Sequence, residues 1–166
     1  MEPAIRDLSS LIRHVRDGMV SEGLAADAEA INAGLCGDFA SEVVALFPEW
    51  TGQPRDALTD IDVACFIEVD PDTGFSYDNG GPFDREMLAA HWPGVVPPDG
   101  MDWDDLDRLS ADAGFDACTH VFLYSNGRFY DAEAPEGVFS FFDLPFFQRV
   151  IRSWQEETPQ GTLARA

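Results

Sequence analysis

Residues 118–132 read CTHVFLYSNGRFYDA, and this stretch decides the fold. A run rich in aromatic and β-branched residues leads to Asn126-Gly127, the dipeptide most typical of a two-residue hairpin turn, and a second aromatic run follows. We therefore predict an antiparallel hairpin in which Ser125 pairs with Arg128 across the turn.

The register of this hairpin places three polar side chains on one face. Counting outward from the turn sets Phe122 opposite Asp131. The next pair on the same face is His120 and Glu133. Paired and alternate residues share a face of a sheet, so we expect His120 to project beside both carboxylates. A buried imidazole needs a polar partner, and either carboxylate can orient the ring and stabilise its charged form.

Helical spacing of apolar residues predicts three helices ahead of the first strand. The predicted helices cover residues 4–17 with Gly18 as the stop, 21–33 with Gly34 as the break, and 36 to about 47 with Pro48 after its end. The third prediction places Cys36 on the first turn of its helix.

The surroundings of Cys36 are those of a reactive thiol. A helix N-terminus and a nearby imidazolium both favour the thiolate, which is the nucleophilic form. In Gly34-Leu35-Cys36-Gly37, two glycines near the thiol let a substrate carbonyl approach, and backbone N–H groups such as that of Gly37 can hold an oxyanion. Asn32, four residues upstream, is a candidate side-chain donor for the same oxyanion.

The other two cysteines are expected to be packing residues. Cys65 and Cys118 lie in apolar predicted strands, and the three cysteines form no CxxC pair. Cys118 shares the predicted face of His120 and is the fallback nucleophile. We expect reduced thiols, with no metal ion and no cofactor.

The rest of the chain predicts further elements around an acidic middle. These are a strand at 61–69, helices at 85–92 and 103–113, and a helix that Asp143 caps and that runs from Pro145 through Trp154. We predict one α+β domain over residues 1–155, with N-terminal helices packed on a small antiparallel sheet. Residues 51–117 form its acidic insert, and residues 156–166 a flexible tail.

The charge of the chain restricts its partners. It has 31 acidic residues against ten basic ones, all of them Arg, and a net charge of −21. Hydrophobic residues make up 45% of the chain, which is enough to form one hydrophobic core. The negative electrostatic field of such a chain repels phosphate backbones and anionic membranes, so we expect neither direct nucleic-acid binding nor membrane binding. Without a signal sequence or a membrane-length apolar run, a cytoplasmic location is predicted.

Two segments resemble a known superfamily. GLCGDFASEVVALF at residues 34–47 resembles the nucleophile helix of papain-like and transglutaminase-like cysteine enzymes, and THVFLYSNGRFYDAEAP at 119–135 resembles their His and Asp strands. The resemblance implies a papain-like or transglutaminase-like fold with Cys36 as nucleophile, His120 as base and Asp131 as orienting acid.

Two functions from different classes follow as hypotheses. The first is a thiol-dependent hydrolase or acyltransferase that acts on an amide, isopeptide or thioester bond in a protein or peptide-like substrate, with basic substrates favoured by the acidic surface. The alternative is a non-enzymatic acidic interaction protein, such as a nucleic-acid mimic or inhibitor that binds a basic protein surface.

Overall fold

The computed structural model describes residues 5–63, 69–70, 74–75, 83, 85–113 and 120–157. Its helices are α1 (Leu8–Ser21), α2 (Ala28–Ala30), α3 (Cys36–Thr51), α4 (Arg85–His91), α5 (Trp103–Ala113) and α6 (Pro145–Glu157). Its strands are β1 (Thr59–Val63), β2 (Val69–Asp70), β3 (Gly74–Phe75), β4 (His120–Ser125), β5 (Arg128–Asp131) and β6 (Ala134–Val138). A π-helical turn, Ile31–Leu35, joins α2 to α3, and 3-10 turns cover Arg55–Ala57 and Phe141–Asp143.

The chain forms two compact units. The first combines Met1–Asp62 with His120–Phe139, and the second combines Val63–Thr119 with Ser140–Ala166. The predicted acidic insert, 51–117, overlaps the second unit, which begins later and also takes in the C-terminal helix α6. The boundary of a single domain at residues 1–155 stays a prediction.

The first unit is built on a four-stranded sheet of order β1-β4-β5-β6. Strands β4 and β5 are antiparallel, with Ser125 opposite Arg128 and Tyr124 opposite Phe129, so the predicted hairpin register is confirmed. Asn126 and Gly127 both have positive φ, 52° and 83°, as a two-residue turn of this kind requires.

The core of the first unit lies between its helices and this sheet. One buried cluster combines apolar side chains of α1, α3 and the sheet region. Its members include Leu11, Ile12, Phe39, Val43, Phe47, Leu123 and Ala132. The apolar stripe predicted for the third helix is therefore the face that packs. Helices on a small antiparallel sheet make the mixed α+β class correct, while the papain-like assignment stays a prediction.

The helix boundaries differ from the predicted ones because packing and capping outweigh single glycine and proline signals. Helix α1 continues through Gly18 and ends before Gly23, which has a φ of 78°. Helix α3 includes Pro48 and ends at Gly52, whose φ is 71° and whose N–H donates to the Pro48 carbonyl. Glycine in the left-handed conformation, rather than the first glycine or proline met, ends each helix.

The start of the second helix was also predicted wrongly. It begins at Ala28, because the Asp27 carboxylate accepts from the Ala30 N–H at 2.9 Å, and Ser21 instead closes α1 through a bond to the Gly18 carbonyl. The predicted break at Gly34 is wrong as well, because the π-helical turn carries the chain into α3.

The second unit contains α4, α5 and α6. Helix α5 has the predicted bounds and α4 ends one residue early, at His91. The predicted cap of α6 is wrong: Asp143 closes the preceding 3-10 turn, and the Leu144 carbonyl accepts the first helical bond, from Gln148. Of the predicted strand at 61–69, residues 64–68 lie outside the described residues, as does the predicted tail beyond Glu157.

One helical run, Ala28–Thr51, is long and apolar enough to cross a membrane by length and composition. A core helix meets the same criteria, and this run contributes buried Phe39, Val43 and Phe47 to the core of the first unit.

Two glycine substitutions should change stability in opposite directions. A Cβ at Gly137 would lie 2.7 Å from Cε1 of Tyr130 at a φ of 79°, so Gly137→Ala should destabilise the protein by at least about 1–2 kcal/mol. Gly18 lies inside α1 with nothing within 4 Å of an added Cβ, so Gly18→Ala should stabilise it by about 0.5–1 kcal/mol. Equilibrium urea unfolding measures both, and equal effects of the two variants would contradict this assignment.

Candidate active site

Cys36 is the first residue of α3, directly after the π-helical turn. Leu35 has φ −120° and ψ 16°, so the backbone leaves helical geometry just before the thiol. Cys36 is half-buried, and a Cβ added at Gly34 or Gly37 would meet nothing within 4 Å, which shows open space on both sides. The sequence prediction of a helix start at Cys36 is confirmed, whereas the π-helical turn, a feature often found at functional sites, was missed.

Backbone N–H groups point at the sulfur from two elements. The N–H of Val121 in β4 donates to Sγ of Cys36, with a nitrogen–sulfur distance of 3.4 Å, and the Gly37 N–H also hydrogen bonds with the sulfur. Val121 was not among the predicted site residues, although it directly follows His120 in the strand. These donors stabilise a thiolate.

His120 lies on β4 beside this thiol. Its side chain is fully buried, its Nε2 lies 3.0 Å from Oδ2 of Asp131, and its ring stacks on Phe122 with centroids 5.8 Å apart. The side chain also interacts with the Cys36 thiol. Because Nε2 faces the carboxylate, Nδ1 is the ring nitrogen that remains for the sulfur.

Asp131 is the carboxylate that holds the imidazole. It is 1% exposed, and its second oxygen, Oδ1, accepts from the N–H groups of Glu133 at 2.9 Å and Ala134 at 3.0 Å. Three partners therefore fix its orientation. Of the two carboxylates that the sequence left open, the structure places Asp131 at the ring.

The predicted pairing of His120 with Glu133 is wrong. Strand β5 stops at Asp131 and β6 begins at Ala134, so Glu133 lies in the turn between them. The cause is the Asp131 side chain, which bonds the backbone two and three residues ahead and thereby bends the chain.

Glu133 instead contacts Asn32, another of the predicted supporting residues. Its Oε2 accepts from Nδ2 of Asn32 at 2.8 Å, and the Asn32 side chain is 1% exposed. One N–H of the Asn32 amide is thus committed to Glu133. The roles of Asn32 and Gly37 as oxyanion donors stay predictions.

The charges of the Cys36–His120 pair support each other. Burial alone would raise the pKa of the Cys36 thiol, but the hydrogen bonds from His120 and Val121 outweigh it and hold that pKa below its ordinary range. Burial alone would likewise lower the pKa of His120, and the bonds to Asp131 and Cys36 outweigh it and raise that pKa. The lowered pKa of the thiol favours the thiolate, and the raised pKa of the imidazole favours the imidazolium, so each shift favours the charged form of its group.

Cys65 and Cys118 lie outside the described residues. Within the part of the chain that the structure describes, no group of three His, Cys, Asp or Glu side chains has the arrangement of a metal site.

Comparisons of the chain with protein-family models, with curated proteins and with solved structures give no match. The resemblance to papain-like and transglutaminase-like enzymes therefore stays a prediction.

The reactivity of Cys36 should depend on pH in a way that His120 controls. We expect iodoacetamide to alkylate Cys36 well below the pH that an ordinary thiol of pKa about 8.5 requires. In His120→Gln the imidazolium is lost while the thiol stays as buried as before, so the pH midpoint of Cys36 alkylation should rise. The alkylation rate at pH 6.5 should fall about tenfold for each unit by which the pKa of the thiol rises.

The three cysteines can be followed separately in one digest. Every basic residue is an Arg, so trypsin places Cys36 on residues 17–55, Cys65 on 56–85 and Cys118 on 109–128. His14→Gln, an exposed histidine of the same unit, is the matched control and should leave the Cys36 profile unchanged. If Cys36 alkylation had the same pH midpoint, near that of an ordinary thiol, in the wild type and in His120→Gln, the claim that His120 activates the thiol would be contradicted.

Proposed function

We propose that this protein is a thiol-dependent hydrolase or acyltransferase that acts on an amide, isopeptide or thioester bond. The observation that carries the proposal is the buried imidazole of His120, which contacts the Cys36 thiol on one side and, through Nε2, the Asp131 carboxylate on the other. Nucleophile, base and orienting acid then follow the logic of a catalytic triad.

In the first half-reaction, the Cys36 thiolate attacks the carbonyl carbon of the substrate and forms a C–S bond. The C–N or original C–S bond of the substrate then breaks as the His120 imidazolium gives its proton to the leaving amine or thiol. The products are a free amine or thiol and an acyl thioester on Cys36.

In the second half-reaction, neutral His120 takes a proton from water or from an acceptor amine as the oxygen or nitrogen attacks the thioester. The C–S bond to Cys36 breaks, the acyl group leaves as an acid or a new amide, and the thiolate–imidazolium pair is restored. Water as acceptor gives hydrolysis, and an amine gives transfer.

The remaining residues have supporting roles in this proposal. Asp131 holds the ring and stabilises its charged form, as the third member of a triad does. The open space at Gly34 and Gly37 leaves room for the carbonyl, and the Gly37 N–H, which hydrogen bonds with the sulfur, is the candidate donor to the oxyanion. The order Cys, His, Asp on a helix followed by a sheet also fits the papain-like and transglutaminase-like resemblance.

The net charge suggests the class of substrate. At −21 the chain attracts cationic molecules and repels anionic ones. Protein or peptide-like substrates that carry Arg or Lys near the scissile bond are therefore the favoured class, with no metal or cofactor required for the steps above.

An activated ester tests the acyl-enzyme directly. We expect p-nitrophenyl acetate to release a burst of p-nitrophenolate and to leave one acetyl group on the 17–55 fragment. Asp131→Asn should slow both acylation and the following deacylation by about 10²- to 10⁴-fold, because the imidazolium loses its counter-charge. Mass spectrometry of the digest locates the acetyl group.

Two variants control this experiment. Cys36→Ser should lose the acetylated fragment, and Asp38→Asn, which removes an exposed carboxylate from the same helix, should behave as the wild type. Acetylation spread over all three cysteine fragments, equally fast in Asp131→Asn, would contradict the proposed function. Added glycinamide that accelerates deacetylation assigns the second step to transfer, and unchanged deacetylation assigns it to hydrolysis.

A further inference from the structure

A partly buried hydrogen bond joins the π-helical turn that precedes Cys36 to the turn that follows Asp131. Nδ2 of Asn32 donates to Oε2 of Glu133 at 2.8 Å, across 101 residues of sequence. The acceptor is a carboxylate and the Asn32 donor is 1% exposed, so this is a charge-assisted bond with a buried donor, the stronger kind of hydrogen bond.

Each end of this bond is attached to a member of the triad. Asn32 lies in the π-helical turn, four residues before Cys36. Glu133 donates its backbone N–H to Oδ1 of Asp131, whose Oδ2 lies at the His120 ring. Contacts and chain therefore close a ring that runs from Cys36 through His120, Asp131, Glu133 and Asn32 back to Cys36.

The stability of the fold alone does not account for Asn32. Its Oδ1 is buried and has no hydrogen-bond partner among the described residues, so half of the amide is buried at a cost. An apolar side chain of the same size would fill the space without that cost. What only the amide provides is the bond to Glu133.

We propose that Asn32 and Glu133 are positioning residues that set the Cys36 sulfur against the His120 ring; this rests on the proposed function. The π-helical turn changes the rotation of the chain just before Cys36, so the position of the sulfur depends on how this turn is held. The bond from Asn32 to Glu133 holds the turn against the rest of the first unit. Small displacements of a reacting atom carry a large cost in rate, so an anchor on each side of the thiol–imidazole contact maintains the geometry.

The test separates positioning from folding. Asn32→Leu removes the bond and adds no charge; it relieves the buried amide oxygen but takes a donor from the Glu133 carboxylate, so the variant should stay folded, with its unfolding temperature measured beside that of the wild type. Its Cys36 should nevertheless be alkylated by iodoacetamide about tenfold more slowly at pH 6.5, with a higher midpoint, as expected for a rise of about one unit in the pKa of the thiol.

A reciprocal exchange keeps the proposal testable should Asn32→Leu misfold. Asn32→Asp alone places two carboxylates together and should slow alkylation. Adding Glu133→Gln to Asn32→Asp exchanges the two groups, so that an amide on the turn donates to a carboxylate on the π-helical turn. The direction of the bond is then reversed at unchanged net charge. The double variant should recover the wild-type rate to within about threefold, a difference under about 1 kcal/mol.

Thr51→Val is the matched control. Thr51 is buried at the far end of α3, where its hydroxyl donates to the Phe47 carbonyl at 2.7 Å, so the variant loses a buried bond of the same helix. Its alkylation profile should stay that of the wild type. An unchanged profile in Asn32→Leu, with no rescue in the double variant, would overturn the positioning role. An unactivated wild-type Cys36 would instead overturn the proposed function itself.

Discussion

The contact between His120 and Asp131 is the constraint on which the first unit depends. An imidazole that is fully buried must be hydrogen-bonded, and if it is charged it must face a countercharge, because either group alone would be costly to remove from water. The 3.0 Å contact meets both needs at once. Any register of β4 on β5 that separates these two residues would leave a buried polar group without its partner.

Several local irregularities of the fold accompany this contact. The Asp131 carboxylate bends the chain after β5 through two backbone bonds, and the same bonds fix its orientation toward the ring. Gly137 then allows β6 to pass close over Tyr130, where a Cβ would collide. On the other side, the π-helical turn presents Cys36 at the start of α3, with the Val121 N–H directed at its sulfur. Together these features bring one thiol beside one buried imidazole.

The sequence was sufficient for the hairpin because turn chemistry there is local. Asn126-Gly127 fixes the turn, the turn fixes the register, and the register brings His120 near Asp131. The start of α3 at Cys36 and the apolar face of that helix were also predictable, since apolar spacing reports which side packs.

Other features of the site cannot be predicted from the spacing of apolar residues. A π-helical turn differs from an α-helical one by about one residue per turn, and the apolar pattern across Ile31–Leu35 does not resolve that difference. The misplacement of Glu133 came from extending strand pairing past Asp131, where a side-chain to backbone turn takes over. Asp27 is an ordinary helix cap, and its carboxylate is a local signal that the sequence does carry. The Val121 N–H could not be identified, because only the tertiary fold brings β4 against the sulfur.

The central claim is that Cys36 and His120 form one ionised pair, and the titration of the His120 ring by NMR tests it most directly. Two groups that stabilise each other's charged forms must shift reciprocally. In the wild type, His120 should stay protonated to a pH above its ordinary pKa of about 6.5, and in Cys36→Ala its pKa should fall, since the thiolate that stabilises the cation is gone. An identical titration of His120 in the two proteins would contradict the account.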